Sequence, residues 1–202
     1  MHSLFGVLNA LTLLAGLAGF AVMFARGGNF ASFKYYTVES NAFAVLAAGI
    51  AFVLTFAGDV LPGWARLLYY AAVCTVAETF TVAVFVLAPA DKEGLRAGIR
   101  RTFFSGSAVF QHLLCPLLSM ASLIAGGLTA GFPFYVTFIA LIPTLLYASV
   151  TLPLNIARKM HGPYPFLYVH EQSVMKSVMW CLLIPGMAYA LACALWAAGR
   201  AL

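Results

Sequence analysis

Six long apolar runs divide this 202-residue chain and leave room only for short connections. Each run is long enough for the roughly 20 residues that a helix needs to cross a lipid bilayer. Hydrophobic residues make up 63% of the chain and charged residues only 8%, which excludes an ordinary soluble domain. The runs are uniformly apolar rather than alternating, which favours helices over the strands of a membrane barrel. We therefore expect an all-α membrane protein that forms a single domain over residues 1–202. Its fold should be a compact bundle of six transmembrane helices. These helices are predicted at roughly residues 4–25, 37–57, 65–88, 103–125, 132–154 and 177–198.

The basic residues predict how the bundle is oriented. Nine of the 11 lysines and arginines lie in loops 1, 3 and 5, the connections that follow the first, third and fifth runs. Short cytoplasmic loops retain positive charge, so we predict a multi-pass protein of the cell membrane with these loops in the cytoplasm and both termini on the opposite side. The net charge of +5 then reflects orientation and attraction to anionic headgroups, and we expect membrane lipids rather than nucleic acid as partners.

The cysteines and histidines lack the spacings of metal sites. The chain contains neither a CxxC pair nor an HExxH pattern. All four cysteines fall within predicted spans, so a disulfide framework is not expected either. We therefore expect no metal and no cofactor.

Polar side chains inside three of the predicted spans indicate a functional site, because such groups are costly in hydrocarbon. In the second run, Thr37, Ser40 and Asn41 share one helical face through their three- and four-residue spacing. Glu78 lies ten residues before the end of the third run, and His112 lies nine residues after the start of the fourth. At about 1.5 Å per residue these depths are similar. We therefore predict that Thr37, Glu78 and His112 lie in the same half of the bilayer and face a common cavity.

Pro116 lies in the same predicted span as His112. A proline inside a helix cannot donate a hydrogen bond to the carbonyl four residues earlier, which here belongs to His112. We expect a kink at this point that opens space beside the imidazole ring.

Three classes of function fit these residues. The first is a hydrolase that uses a hydroxyl and an imidazole. The second is a small-molecule or proton-coupled transporter in which Glu39, Glu78 and His112 form a polar relay. The third is a scaffold in which Thr37 caps a helix and the other polar groups join helices. The residues themselves leave all three open.

Three segments carry a resemblance to a known family. They are Lys34-Tyr35-Tyr36-Thr37 with Ser40-Asn41, His112-Leu113-Leu114-Cys115-Pro116, and Tyr164-Pro165-Phe166-Leu167. In order and spacing, over residues 34–167, they resemble the family of androgen-induced and androgen-dependent TFPI-regulating proteins. The Val-Glu-Ser-Asn that follows Thr37 is similar to the bacterial membrane-protein branch of that family. Taken by itself, the third segment predicts a proline-rigidified turn or a gate in loop 5.

The resemblance implies an intramembrane hydrolase that cleaves fatty acid esters of hydroxy fatty acids, with Thr37 as nucleophile and His112 as base. A threonine hydroxyl needs such a base within about 2.6–3.2 Å to take its proton. Glu78, Gln111 and Asn41 are candidates for orienting the imidazole. Asn41 and the free amides at the start of the second helix are candidates for stabilising the negative charge on the carbonyl oxygen.

The substrate implied by this chemistry is a lipid ester that enters from the bilayer. Ser40 is expected to line the site beside Thr37. Arg26 and Lys34 lie on the same predicted side of the membrane and are candidates for binding a free carboxylate of the substrate. The sequence makes no prediction of an oligomeric state.

Overall fold

The computed structural model describes residues 2–58 and 60–200, and within these ranges the chain is helical without strands. The predicted all-α bundle is confirmed. The α-helices are α1 (His2–Ala25), α2 (Tyr36–Phe56), α3 (Gly63–Val82), α4 (Leu95–Phe104), α5 (Cys115–Ala125), α6 (Val136–Ile139), α7 (Ile142–Ile156) and α8 (Val174–Ala198). Short 3₁₀ turns lie at Phe30–Lys34 and Pro165–Leu167, and π-helical segments lie at Ala83–Leu87 and Val109–Leu114.

Within residues 2–58 and 60–200, five helical segments are long and apolar enough to cross a membrane, as in a multi-pass membrane protein. They are Leu4–Ala25, Tyr36–Phe56, Gly63–Leu87, Val136–Ile156 and Val174–Ala198. Their ends lie within four residues of the predicted spans. A sixth crossing is present if Leu95–Phe104 and Val109–Ala125 count as one span, but these two helices are bent by 91° at the break between them.

The predicted span at roughly residues 103–125 is therefore wrong at its start, because the chain bends before Ala108. α4 ends at Phe104, Ser105 is extended, and Gly106 has a φ of +59°. Glycine adopts this left-handed conformation without the steric cost that a side chain would bring. The Arg26 guanidinium lies against Gly106, so a Cβ there would also be crowded. The helix resumes at Ala108, which places His112 four residues beyond the bend instead of nine residues into a span.

α4 packs across the end of the third span. It carries three arginines, at positions 96, 100 and 101, which suit a helix at the membrane surface better than one in hydrocarbon. Gly98 allows the close approach, since a Cβ at this position would collide with the carbonyl oxygen of Ala88. Phe103 then completes a small core with Ala83 and Ala88.

The helix around Pro116 widens instead of simply kinking. Over Val109–Leu114 the backbone is π-helical, and the Cys115 N–H donates to the carbonyl of Phe110, five residues earlier. In this register the next donor, to the carbonyl of Gln111, would be residue 116, which is proline and has no N–H. The Gln111 carbonyl is thus left for a partner outside its own helix.

α3 lies at the centre of the bundle and packs against α2, α5, α7 and α8. Small buried residues on α3, including Ala71, Ala72 and Ala77, let the neighbouring backbones come close. α8 buries only Ala188, Ala192 and Leu195. A cavity lies on this side of the bundle, lined in part by α7 and α8.

Candidate functional site

Thr37 is the second residue of α2 and lies in the first turn of the helix. Tyr35 is the N-cap residue and has extended backbone angles, so α2 starts at Tyr36. The side chain of Thr37 is only 7% exposed. Its backbone N–H donates to the hydroxyl of Tyr164 over 3.0 Å, and its Oγ1 lies 3.1 Å from the same oxygen. The nearest hydrogen-bonding partner of the predicted nucleophile is therefore a tyrosine from loop 5.

Thr37 and Tyr164 line a cavity of about 300 Å³ between α2, α3, α7, loop 5 and α8. Five of its polar lining residues are joined by hydrogen bonds into two groups, and we call them the polar cluster: Tyr36, Thr37, Glu78, Thr144 and Tyr164. The other walls are largely apolar and include Leu145, Leu152, Trp180, Ile184 and Pro185. A mostly apolar cavity with a few convergent polar groups is the usual form of a small-molecule site.

Glu78 is buried in the polar cluster, at 2% exposure. Its Oε2 accepts hydrogen bonds from the Tyr36 hydroxyl at 3.0 Å and from Thr144 Oγ1 at 2.5 Å. No hydrogen bond joins Glu78 to His112 in the described part of the chain. The carboxyl group thus bonds to the cavity wall, and Glu78, one of three candidates for orienting the imidazole, makes no hydrogen bond to it within that part of the chain.

Asn41 and Ser40 hold the backbone of Thr37. Asn41 is fully buried, and its Nδ2 donates to the carbonyls of Thr37 and Gln111 over 2.8 and 3.0 Å. Ser40 Oγ donates to the Thr37 carbonyl over 3.1 Å and lies 2.9 Å from Thr79 Oγ1. Asn41 therefore joins the first turn of α2 to the residue that precedes His112.

These contacts occupy the donors that were expected to stabilise a carbonyl oxyanion. Both Asn41 Nδ2 hydrogens are directed to backbone carbonyls. The Val38 and Glu39 amides donate to the carbonyl of Tyr35, and the Thr37 amide donates to Tyr164. The free-amide prediction is thus wrong for residues 37–39, because the N-cap carbonyl and Tyr164 satisfy these amides.

His112 lies in the π-helical segment, partly buried beside Phe103, whose ring it meets edge to face at 6.4 Å. Its Nδ1 is buried and has no hydrogen-bond partner among the residues that the structure describes. No hydrogen bond joins His112 to Thr37 within the same residues, and His112 is not part of the lining of the 300 Å³ cavity. The Gln111 side chain turns towards α1, where its Nε2 lies 3.9 Å from Met23 Sδ.

The two basic candidates lie apart from the polar cluster. Arg26 packs against Gly106 at the bend before Ala108. Lys34 Nζ lies 5.2 Å from the centre of the Tyr35 ring. Lys34 also lines a second cavity, of about 540 Å³, together with the exposed Glu39. Three residues, Tyr36, Tyr147 and Thr151, line both cavities, so the two adjoin.

Tyr164 is the site residue that sequence reasoning missed. By itself the Tyr164-Pro165 pair predicts a turn or a gate, and the signal that could have identified Tyr164 is its place in the third segment of the resemblance. Burial raises the pKa of the Tyr164 phenol to about 12, and the contacts with Thr37 oppose this rise. The phenol therefore keeps its proton at neutral pH and has one hydrogen to donate.

Comparisons with protein-family models, with curated proteins and with solved structures found no match for this chain.

Proposed function

We propose that this protein is an intramembrane hydrolase that cleaves lipid esters with the hydroxyl of Thr37 as nucleophile. The observation that carries the proposal is the place of Thr37: a buried hydroxyl at the start of a membrane helix, on the wall of an apolar cavity of about 300 Å³. Polar groups in such a position are expensive and usually functional. The resemblance of the three sequence segments points to the same chemistry.

In the proposed reaction, Thr37 Oγ1 attacks the acyl carbon of an ester and its proton passes to a base. The tetrahedral intermediate then breaks its bond to the alcohol, which leaves with that proton, and an acyl-threonine remains. Water next attacks the acyl group, releases the fatty acid and restores the hydroxyl. Each step conserves atoms and needs no metal or redox partner.

His112 is the proposed base, as the resemblance implies. Two observations support it: its buried Nδ1 has no partner among the described residues, and Asn41 already joins the backbone next to it to Thr37. Reaction requires a state in which the imidazole comes within about 2.6–3.2 Å of Thr37 Oγ1. Catalytic hydrogen bonds are often long without substrate and tighten when it binds.

The two adjoining cavities support a substrate with two apolar arms, such as a fatty acid ester of a hydroxy fatty acid. One arm would occupy the cavity beside Thr37, and the other would extend past Tyr147 and Thr151 into the second cavity. Lys34 on the wall of the second cavity is the proposed partner of a substrate carboxylate. Arg26, which packs against Gly106, has less support for this role.

The transporter alternative has less geometric support. Glu39 is exposed on the second cavity, Glu78 bonds to Tyr36 and Thr144, and His112 lies beside Phe103. Within the described ranges, no hydrogen bond joins any two of the three proposed relay groups. The scaffold alternative is favoured by one observation: the side chains of the polar cluster are hydrogen-bonded to each other, as groups that only join helices would be.

The test is covalent labelling of the purified protein in lipid nanodiscs with an alkyl fluorophosphonate. We expect an adduct on Thr37, located by mass spectrometry, and hydrolysis of a long-chain fatty acid ester. Thr37→Val, which keeps the shape and removes the hydroxyl, should abolish both, and Thr37→Ser should retain both. His112→Ala should slow both by about 10²–10⁴-fold, the usual contribution of a general base.

Thr81→Val is the matched control. Among the residues that the structure describes, the Thr81 hydroxyl donates only to the carbonyl of Ala77 in its own helix, so labelling should be unchanged. A Thr37→Val variant that still labels and still cleaves esters would refute the hydrolase proposal, as would an unmodified protein with no adduct on Thr37.

A further inference from the structure

We propose that Tyr164 is a catalytic residue of the hydrolase, whose phenol donates the hydrogen bond that stabilises the negative charge on the ester carbonyl oxygen. This inference rests on the proposed function and assigns the oxyanion donor, which the first turn of α2 does not provide.

The directions of the hydrogen bonds leave the phenol hydrogen available. The backbone N–H of Thr37 can only donate, so the Tyr164 oxygen is the acceptor of that 3.0 Å bond. The phenol therefore keeps its own hydrogen for a second bond. The only other partner of the Tyr164 hydroxyl in the described residues is Thr37 Oγ1 at 3.1 Å, the nucleophile itself.

The position of the phenol matches the place where charge develops. A hydrolase needs a position for the reacting carbonyl group that lies about 3 Å from both the nucleophile and the oxyanion donor. Tyr164 and Thr37 line the same cavity, so an ester carbonyl that enters from it meets both hydroxyl groups together. The phenol can then turn its hydrogen from Thr37 Oγ1 to the carbonyl oxygen, while the Thr37 N–H continues to hold the phenol oxygen.

Other donors near Thr37 are already used. The amides of Val38 and Glu39 donate to the carbonyl of Tyr35, and both hydrogens of Asn41 Nδ2 are directed to backbone carbonyls. Moving any of these donors to a substrate would break a hydrogen bond inside the protein. Moving the Tyr164 hydrogen breaks only its contact with Thr37 Oγ1, which the reaction changes in any case.

The Tyr164 ring is held in place by its surroundings. It is 8% exposed, stacks on Phe166 at 5.1 Å and meets Tyr35 edge to face at 6.0 Å. The Leu167 amide donates to the Tyr164 carbonyl over 2.9 Å, and the side chain of Asn155 donates to the Leu167 carbonyl. Loop 5 is thereby tied to the end of α7. A donor fixed in this way needs little reorganisation when charge appears, which is the source of its catalytic effect.

In the reaction step, the bond from Thr37 Oγ1 to the acyl carbon forms and the electron pair of the carbonyl moves onto its oxygen. The Thr37 proton goes to the base. Tyr164 donates a hydrogen bond and keeps its own proton. When the carbonyl re-forms, the bond to the alcohol breaks and the base returns its proton to the leaving alcohol, which leaves Thr37 Oγ1 acylated. Water then hydrolyses the acyl-threonine, and only the free Thr37 hydroxyl meets the phenol again.

The test is Tyr164→Phe, which keeps the ring and its packing and removes only the hydroxyl. Removing one oxyanion donor typically lowers kcat by about 10²–10³-fold, and we expect that loss with a KM that changes less than threefold. Rates are expressed per Thr37 site titrated by the fluorophosphonate, so that any misfolded fraction does not count. Replacing Tyr164 by 3-fluorotyrosine, which retains the hydroxyl, should restore kcat.

Tyr168→Phe is the matched control in the same loop, since no hydrogen bond of the Tyr168 hydroxyl is present in the described structure. If Tyr164→Phe retains the kcat of the unmodified protein, the role of Tyr164 is refuted while the Thr37 adduct still supports the hydrolase. Failure of 3-fluorotyrosine to restore kcat in folded protein would refute that role equally. If Thr37 carries no adduct in the unmodified protein, both proposals fall together.

Discussion

Asn41 on α2 donates its side-chain amide to the backbone carbonyl of Gln111, 3.0 Å away and 70 residues later in the chain. That carbonyl is available because residue 116, its partner in the π-helical register, is proline. Because Pro116 has no N–H, the Gln111 carbonyl is free to accept the hydrogen bond that joins the start of α2 to the fourth run. The first turn of α2 carries Thr37, so this contact sets where the proposed nucleophile lies relative to His112.

Replacing Asn41 by leucine should reduce both stability and reactivity. The substitution removes two buried hydrogen bonds and leaves the Gln111 carbonyl without its partner, which should lower the free energy of unfolding by about 1–3 kcal/mol. Labelling of Thr37 should also slow. Unfolding in detergent micelles and the labelling rate per folded molecule are the two measurements.

Asn9→Leu is the control for this prediction. Asn9 is equally buried and donates to the carbonyl of Ala48, further along α2. We expect a similar loss of stability and an unchanged labelling rate. Equal labelling rates in the two variants would show that the Asn41 contact does not position Thr37.

Pro116→Ala should separate stability from reactivity. The substitution restores an N–H that can donate to the carbonyl of Gln111 or His112, so the π-helical segment should shorten and the Asn41 contact should weaken. The added hydrogen bond should leave the protein as stable as before or more stable by about 1 kcal/mol. Labelling of Thr37 should nevertheless fall. Reduced stability together with normal labelling would contradict this account of the π-helical segment.

Filling the cavity should change which esters are accepted. Ala148 on α7 lines the cavity beside Thr37, and Ala148→Phe would occupy space that an acyl chain needs. We expect the KM for a hexadecanoyl ester to rise at least tenfold while the KM for a butanoyl ester changes little. Ala121→Phe, at an exposed position of α5, should leave both values unchanged. Equal effects on the long and the short ester would argue against this cavity as the acyl site.

The backbone amides of loop 3 should become less protected from hydrogen exchange at acid pH. The Asp91 carboxylate accepts hydrogen bonds from the Glu93 amide and from Arg101, and these contacts hold its pKa below the usual range. A carboxyl group with a lowered pKa contributes its full stabilisation above its ordinary pKa of about 3.9 and loses it as the pH falls through the folded value.

Hydrogen exchange checks this pH dependence. The backbone amide exchange rates of residues 91–98, each divided by its intrinsic rate, should be constant between pH 7 and 5. This range lies ~1–3 units above the ordinary pKa of Asp. The rates should increase only at more acid pH. Asp91→Asn should show the faster exchange at neutral pH already. Exchange in α3 should not change in either experiment, because the ion pair lies outside the bundle.

Several parts of the site could be predicted from the sequence, and others could not. The helical face of Thr37, Ser40 and Asn41 was predicted correctly, since all three are buried on α2. The predicted cavity shared by Thr37, Glu78 and His112 is found for the first two residues only, because Thr37 and Glu78 line one cavity and His112 is not in its lining. The partners of these residues were not predictable: Thr37 meets Tyr164, 127 residues away, and Glu78 meets Thr144, 66 residues away.

Hydropathy by itself determined that the chain forms apolar helices and where most of them begin and end. The reason is local: in lipid every backbone polar group must be satisfied within its own segment, so an apolar run of sufficient length becomes a helix whatever its neighbours are. Only the tertiary structure decided the bend at Gly106, the contact between Asn41 and Gln111, and the place of Tyr164 on Thr37. These features depend on how the helices rotate and pack against each other. Hydrogen bonds between segments far apart in the chain cannot be predicted from a local sequence pattern.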